Sequence, residues 1–283
     1  MTGRTIVITG ASDGIGAAAA RRLSAAGERV VLVGRSPVKT AEVAREVGAP
    51  HHVADFARLS EVRDLAERLA ADHPRIDVLA NNAGGIMGDR DITEDGFEKT
   101  LQVNHLGPFL LTHLLMDTLV DSRATVLNTS SIAARLFGRI DVDDLNNEGD
   151  YSPEKAYGDA KLANILFTKE LHRRFHGSGI ATAAFHPGNV ATNFASGSTS
   201  RMRYVYQTPL RHLALIGPDK GTRTLLWLAN GTPGTDWTSG EYYEKKKIAT
   251  TNPQAADADV AHALWERSLD MVRLSAGRND PGQ

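Results

Sequence analysis

Short apolar runs alternate along the chain with longer stretches in which apolar residues return every three or four positions. The runs Thr5 to Thr9, Arg29 to Val33, His51 to Asp55, Ile76 to Ala80, Ala124 to Thr129 and Ile180 to Phe185 predict six strands, and Glu241-Tyr242-Tyr243 a last one. Helical spacing predicts helices from the glycine-rich stretch after Thr9 to Gly27, from a Ser36-Pro37 start, and from Ser60 to just before Pro74. Further helices are expected through Leu162 to Phe175, from Lys220 to Asn230 and from Ala255 to Leu274. Strands that alternate with helices are joined by crossovers, which gives a parallel sheet covered on both faces. The pattern from about Asp95 to Leu119 is apolar almost all round, so this helix is buried in the core or between subunits, and Pro108 should kink it.

Composition narrows the class. A chain of 283 residues with 41% hydrophobic content can bury a full core, and no linker or internal repeat divides it, so one domain is expected. The formal charge of −2 gives no reason to expect a nucleic-acid or membrane-surface partner. With no cysteine, disulfides, thiolate metal sites and a cysteine nucleophile are excluded. The histidines form no zincin pattern, so no metal site is expected. No run is long enough to span a membrane and the chain enters a strand directly, which leads to the expectation of a cytoplasmic protein.

Candidate chemistry collects at the predicted carboxyl ends of the strands. Thr9-Gly10-Ala11-Ser12-Asp13-Gly14-Ile15-Gly16 joins a strand to a helix, where glycines admit a pyrophosphate to the backbone and the helix N-terminus offers free N–H groups. Its spacing differs from the commonest dinucleotide fingerprint. The second strand ends at Gly34-Arg35-Ser36, where an acid would bind ribose hydroxyls. Arg35 there suits a 2′-phosphate and NADP, with Ser36 assisting, although a surface arginine would read the same. Asp13, an acid inside the cradle, could lie near the same phosphate. Asn81-Asn82-Ala83-Gly84 and Ser130-Ser131 close two further strands, to face a ligand or simply to turn.

Tyr157 and Lys161 stand four apart on a predicted helix, so hydroxyl and ammonium share one face. An ammonium about 5 Å away at an effective dielectric of ~20 favours phenolate by roughly 3 kcal/mol, enough to make a tyrosine a general acid or base. Tyr151 and Lys155 match the same spacing, but Pro153 fits a first helical turn and leaves Tyr151 outside it. The stretch from Asn193 to Gly217, small and polar and then basic and aromatic, reads as a substrate lid or an ordinary surface loop.

Taken together, Thr9-Gly10-x-x-x-Gly14-Ile15-Gly16, Asn81-Asn82-Ala83-Gly84, Asn104, Ser130-Ser131, Tyr157-x-x-x-Lys161 and Pro187-Gly188 resemble the short-chain dehydrogenase/reductase family, from about Arg4 to Tyr243. Asn104-His105-Leu106-Gly107, Lys161-Leu162-Ala163-Asn164-Ile165-Leu166-Phe167 and His186-Pro187-Gly188 are similar to its retinol-dehydrogenase-like branch. The resemblance implies a single-domain, doubly wound Rossmann fold and a tetrad of Asn104, Ser131, Tyr157 and Lys161. In it Ser131 would bond the substrate oxygen, Tyr157 would exchange a proton with it, Lys161 would lower the tyrosine pKa and hold the nicotinamide ribose, and Asn104 would support a relay water. By the same resemblance Gly10, Ser12, Gly14 and Ile15 would line the pyrophosphate, and Asp55 and Phe56 the adenine. Asn82, Ala83 and Gly84 would meet the adjacent ribose, and Pro187, Val190 and Thr192 the nicotinamide.

The expected protein is therefore an NADP-dependent oxidoreductase interconverting a small-molecule carbonyl and an alcohol. Its apolar helices around Leu101 to Leu119 and Leu162 to Phe175 suggest a homodimer or homotetramer. An epimerase or dehydratase on the same scaffold, or a dinucleotide-sensing regulator, are the alternatives, and an intact tetrad argues against the regulator.

Overall fold

A computed structural model of the protein describes residues 3–188 and 217–274. The strands are β1 (Thr5–Thr9), β2 (Arg29–Gly34), β3 (His51–Val53), β4 (Val78–Asn81), β5 (Thr125–Thr129), β6 (Ala181–His186), β7 (Glu241–Glu244) and β8 (Lys247–Ile248). They form one sheet in the order β3-β2-β1-β4-β5-β6-β7-β8, parallel except for β8. The chain winds outward from β1 in one direction and from β4 in the other. The carboxyl ends of β1 and β4 therefore flank the switch point, where an α/β sheet opens a crevice.

Strand residues alternate between two cores, as a doubly covered sheet requires. Ile6, Ile8, Val30, Leu32, Leu127, Ala183 and Phe185 face α1 (Gly14–Ala25) and α2 (Pro37–Val47). Val7, Val31, Val33, Leu79, Val126 and Ala184 face the other way, toward α3 (Leu59–Asp72) and the central helices. The expected helix from Asp95 to Leu119 is four pieces: α4 (Lys99–Leu101), a π-helical turn (Gln102–Leu106), α5 (Gly107–Leu114) and α6 (Met116–Ser122). Pro108 is not where the helix is interrupted. The Gly107 N–H reaches back five residues to the Gln102 carbonyl, so the register change falls around Asn104, and Pro108 sits in the first turn of α5 where its missing donor costs little.

After β5 come α7 (Ala133–Leu136) and the long α8 (Pro153–Phe175), whose start is capped by the Ser152 hydroxyl accepting from the Lys155 N–H. Two short helices, α9 (Pro218–Gly221) and α10 (Arg223–Asn230), precede β7, and α11 (Ala258–Leu274) ends the described chain. α11 packs along α8. Its Trp265 ring lies 5.1 Å from Phe109 and 5.7 Å from Phe167, centroid to centroid. Much of the apolar surplus on α5 and α8 is thus taken up inside the chain, although Leu114 stays exposed. The third strand stops at Val53 rather than Asp55. There the Asp55 carboxylate accepts from the Ala57 N–H at 3.0 Å and turns the chain toward α3.

Candidate active site

The glycine loop folds against the end of β4 because neither side has room for more. Gly10 has φ +66°, and a Cβ there would stand 2.8 Å from the Ala83 Cα. A Cβ on Gly16 would strike the Gly10 carbonyl oxygen. Asn82 bolts the two segments together: its side-chain amide donates to the Thr9 carbonyl at 3.0 Å, while the N–H groups of Asn82 and Ala83 both donate to Thr9 Oγ1 at 3.0 Å. The expected ribose contact at Asn82 therefore comes from a residue whose amide already spans two strand ends.

Gly14 and Ile15 open α1, with Asp13 as N-cap: one carboxylate oxygen accepts from the Gly14 N–H at 2.7 Å and the other lies 3.8 Å from Lys39 Nζ. Ser12, Asp13, Arg21, Lys39 and Glu46 line a cleft of about 310 Å³ beside this turn. Arg35 is exposed at the end of β2 and makes no hydrogen bond or ion pair among the described residues. The Ser36 hydroxyl caps α2, accepting from the Lys39 N–H at 3.4 Å. Lys39, which the sequence reading did not single out, follows from that cap: the third residue of α2 is turned back toward the start of α1. Phe56 has its ring buried in the core, so only its backbone can face a nucleotide. Asp55 is half-buried at the same strand end.

On the other side of the switch point Asn104, Lys161 and Tyr157 come together, with Ser131 close in sequence to the end of β5. Asn104 is fully buried in the π-helical turn, where its amide donates to the carbonyls of Gly85 (2.9 Å) and Thr100 (2.8 Å) while its oxygen accepts from the Gly85 N–H (3.0 Å). A Cβ on Gly84 would collide with that oxygen and lie 3.1 Å from Lys161 Nζ, which places Gly84, Asn104 and Lys161 together. The Lys161 ammonium is 1% exposed, donates to the Thr129 carbonyl at 3.2 Å and lies 5.4 Å from the centroid of the Tyr157 ring. Burial brings its pKa down to about 7. Ser130 is a strut, its hydroxyl donating to the Lys161 carbonyl at 2.7 Å. Ser131 is half-buried just past β5 and its Oγ accepts from the Ala133 N–H at 3.2 Å, while Ala133 packs with Ile86 and Tyr157. Pro187 follows β6. Val190, Thr192 and the expected lid, apart from Gly217, lie outside the described residues.

A cradle of glycines at a helix start, crossing a switch point to a buried tyrosine and lysine, defines a dinucleotide-dependent oxidoreductase of the Rossmann type. The model of the short chain dehydrogenase family matches residues 4–203, and the chain belongs to that family. Within it, the chain falls in the retinol-dehydrogenase-like branch: it is 37% identical over 288 residues to human retinol dehydrogenase 13, covering 97% of this chain and 86% of that one. It is 44% identical over 279 residues to a Streptomyces sp. (strain C5) protein named for daunorubicin C-13 ketoreduction, covering 96% and 93% of the two chains. Among solved structures it is similar to an uncharacterised Mycobacterium paratuberculosis protein, at 34% identity and a TM-score of 0.77, with 96% and 94% coverage. The protein is an NAD(P)-dependent oxidoreductase for ketone and alcohol substrates.

Proposed function

We propose that the chain uses NADP to interconvert a ketone or aldehyde and its alcohol, with Asn104, Ser131, Tyr157 and Lys161 as the reaction centre. The observation that carries this is the buried Lys161 ammonium set between the Tyr157 ring and Gly84, at one end of a crevice whose other end is a glycine-lined helix start. The cradle fits a dinucleotide, because the positions that a Cβ would fill are glycine. Gly10, Ser12, Gly14 and Ile15 would hold the pyrophosphate, the backbone at Asp55 and Phe56 the adenine, Asn82 to Gly84 a ribose, and Pro187 the nicotinamide.

When bound, NADP supplies or accepts the hydride. The chain's own residues do the rest. Ser131 Oγ hydrogen-bonds the substrate oxygen, and the Tyr157 hydroxyl gives that oxygen a proton in reduction or takes it in oxidation. A charged Lys161 makes phenolate less costly, and Asn104 holds the segment through Gly85 that packs against it. A 2′-phosphate beside the end of β2 would be met by Arg35 and Lys39, while Asp13 would oppose it.

The test is turnover of daunorubicin, all-trans-retinal and a panel of simple ketones and aldehydes, followed by NADPH and NADH absorbance. We expect reduction with NADPH, and an Arg35→Ala variant that binds NADPH about ten- to a hundredfold more weakly with NADH unaffected, since a hydrogen bond to a charged group contributes about 1.5 to 3 kcal/mol. Asp13→Asn should tighten NADPH. Equal affinity of the parent for both cofactors, or equal weakening of both by Arg35→Ala, would remove the NADP assignment and leave the rest.

A further inference from the structure

Behind the reaction centre runs a column of buried polar side chains that the chemistry above does not use. Thr129, the last residue of β5, turns its carbonyl toward α8, where it accepts from Lys161 Nζ at 3.2 Å and from Asn164 Nδ2 at 3.1 Å. A carbonyl can only accept, so the Asn164 amide is fixed in one orientation, with its oxygen pointing away from Thr129. That oxygen is buried and has no hydrogen bond that meets ordinary geometry. The same holds for Nδ1 of His105, the neighbour of Asn104 in the π-helical turn. The two orphans belong to elements that pack on each other, α8 and the π-helical turn, and they are complementary, one an acceptor and the other able to donate; the Asn164 side chain also favours a proton on the His105 ring. With Nδ1 as donor, His105 Nε2 must accept, and the Ser268 hydroxyl of α11 lies 2.9 Å from it. Ser268, His105 and Asn164 are 0%, 1% and 4% exposed, so water does not compete for these groups. Burial holds the ring neutral, with its pKa at about 4, consistent with a donor at one nitrogen and an acceptor at the other.

Polarity therefore has one consistent direction, from the Ser268 hydroxyl through His105 and Asn164 to the carbonyl that receives Lys161. We infer that Asn164, backed by His105 and Ser268, is a positioning residue for Lys161, and that α11 supports the reaction centre through this column as well as closing the core. An ammonium with one hydrogen-bond acceptor among the described residues can swing about it. Fixing that acceptor from behind keeps the other two N–H groups directed to Tyr157 and to the space beside Gly84. The inference rests on the assignment of Lys161 to the reaction centre made above.

Two kinds of measurement separate it from that assignment. The first needs no turnover: the Lys161 signal of lysine-labelled protein, identified by its loss in Lys161→Met, is titrated by NMR. Asn164→Asp replaces the amide that donates to Thr129 with a carboxylate, which can only accept, within about 6 Å of the lysine, and should raise the Lys161 midpoint by about two pH units at an effective dielectric of ~20. An unchanged midpoint would overturn the inference. The second is kinetic. Asn164→Leu should lower kcat about three- to tenfold, the effect of one lost hydrogen bond, without weakening NADPH to the same degree. Ser268→Ala should show a smaller loss that Ser268→Thr restores. If Asn164→Leu keeps the parent's melting temperature and also its kcat, the column is only structural and the inference fails. If Asn164→Leu does not fold, Asn164→Asp and the Ser268 pair decide. A parent that reduces no carbonyl, or a Tyr157→Phe variant that still does, sinks the proposed reaction while the NMR titration still rules on the column.

Discussion

Tyr151 with Lys155 and Tyr157 with Lys161 are the same sequence pattern six residues apart, and the fold gives them opposite uses. Tyr151 lies one residue before the Ser152 cap of α8, outside the helix, and its hydroxyl donates to the Gly88 carbonyl at 2.8 Å. Burial, then the nearby Glu98 carboxylate, push its pKa up to about 12, so it stays a protonated phenol. Lys155 is tied to the Asp159 carboxylate at 2.9 Å and to Asn147, while Asp159 also accepts from the Arg139 N–H at 2.6 Å. The first pair is a clasp that fastens the segments after β4 and after β5, at Gly88 and Asn147, to the start of α8. In the second pair the lysine has no carboxylate partner among the described residues, is buried, and faces the tyrosine. A spacing of four puts two residues on one side of a helix. Whether they make chemistry depends on which side is turned to the strand ends, and on whether the lysine's charge is already matched.

Exchanging the phenols gives the widest separation. Tyr157→Phe should lower kcat by ~10²- to 10⁴-fold, the usual contribution of a general acid or base, with cofactor affinity largely kept. Steady-state kinetics beside a cofactor titration would show this. A Tyr157→Phe protein within tenfold of the parent would reverse the assignment of the two pairs.

The sheet was legible because strands buried on both faces are nearly continuous apolar runs, and the alternation of Ile6, Val7 and Ile8 between two cores needs no other information. The glycine loop was legible because its spacing is dictated by backbone contact. The π-helical turn was not: a helix apolar on all sides has no periodic stripe against which a shifted register can be seen, and Pro108 drew the expected kink to itself. Nor could the sequence say that α11 covers α5 and α8, since an apolar face looks the same whether a partner or a later helix closes it. Tyr157 and Lys161 were found from their spacing, whereas Asn164, His105 and Lys39 make their contacts across elements far apart in sequence, where spacing is silent.

The lysines should separate the pairs in stability, with opposite signs. Lys161 has a folded pKa of about 7 against 10.5 as its ordinary value, so the unfolded chain binds the extra proton between these limits. Its burial therefore costs most below pH 7, and the cost fades as pH rises toward 10.5. Lys161→Met should abolish turnover yet stabilise the protein at pH 7, on the order of 2 kcal/mol, with a gain that shrinks at pH 10. Lys155→Met removes one partner of a mostly buried ion pair and should destabilise by roughly 1 to 3 kcal/mol with kcat kept within a few-fold. Denaturant unfolding at pH 7 and pH 10 reads both, and a Lys161→Met protein less stable than the parent at pH 7 would mean that the ammonium is not paying for its burial.

The smallest effect belongs to the remaining residue of the clasp. Tyr151→Phe deletes one hydrogen bond to a backbone carbonyl and leaves the ring in place, which costs about 1 kcal/mol. For a chain of this size that is a fall of roughly 2 to 4 °C in melting temperature. Because the Tyr151 phenol titrates at about 12, its removal should leave the pH dependence of turnover where the parent has it throughout the neutral range. Activity should change by less than about twofold, the kinetic equivalent of a few tenths of a kcal/mol. A shifted pH profile in Tyr151→Phe would show that the clasp communicates with Tyr157 through the first turns of α8, and the two pairs would then have to be treated as one coupled unit. An unmoved profile with a lowered melting temperature leaves them as they stand, six residues apart on one chain, one fastening the helix and the other using it.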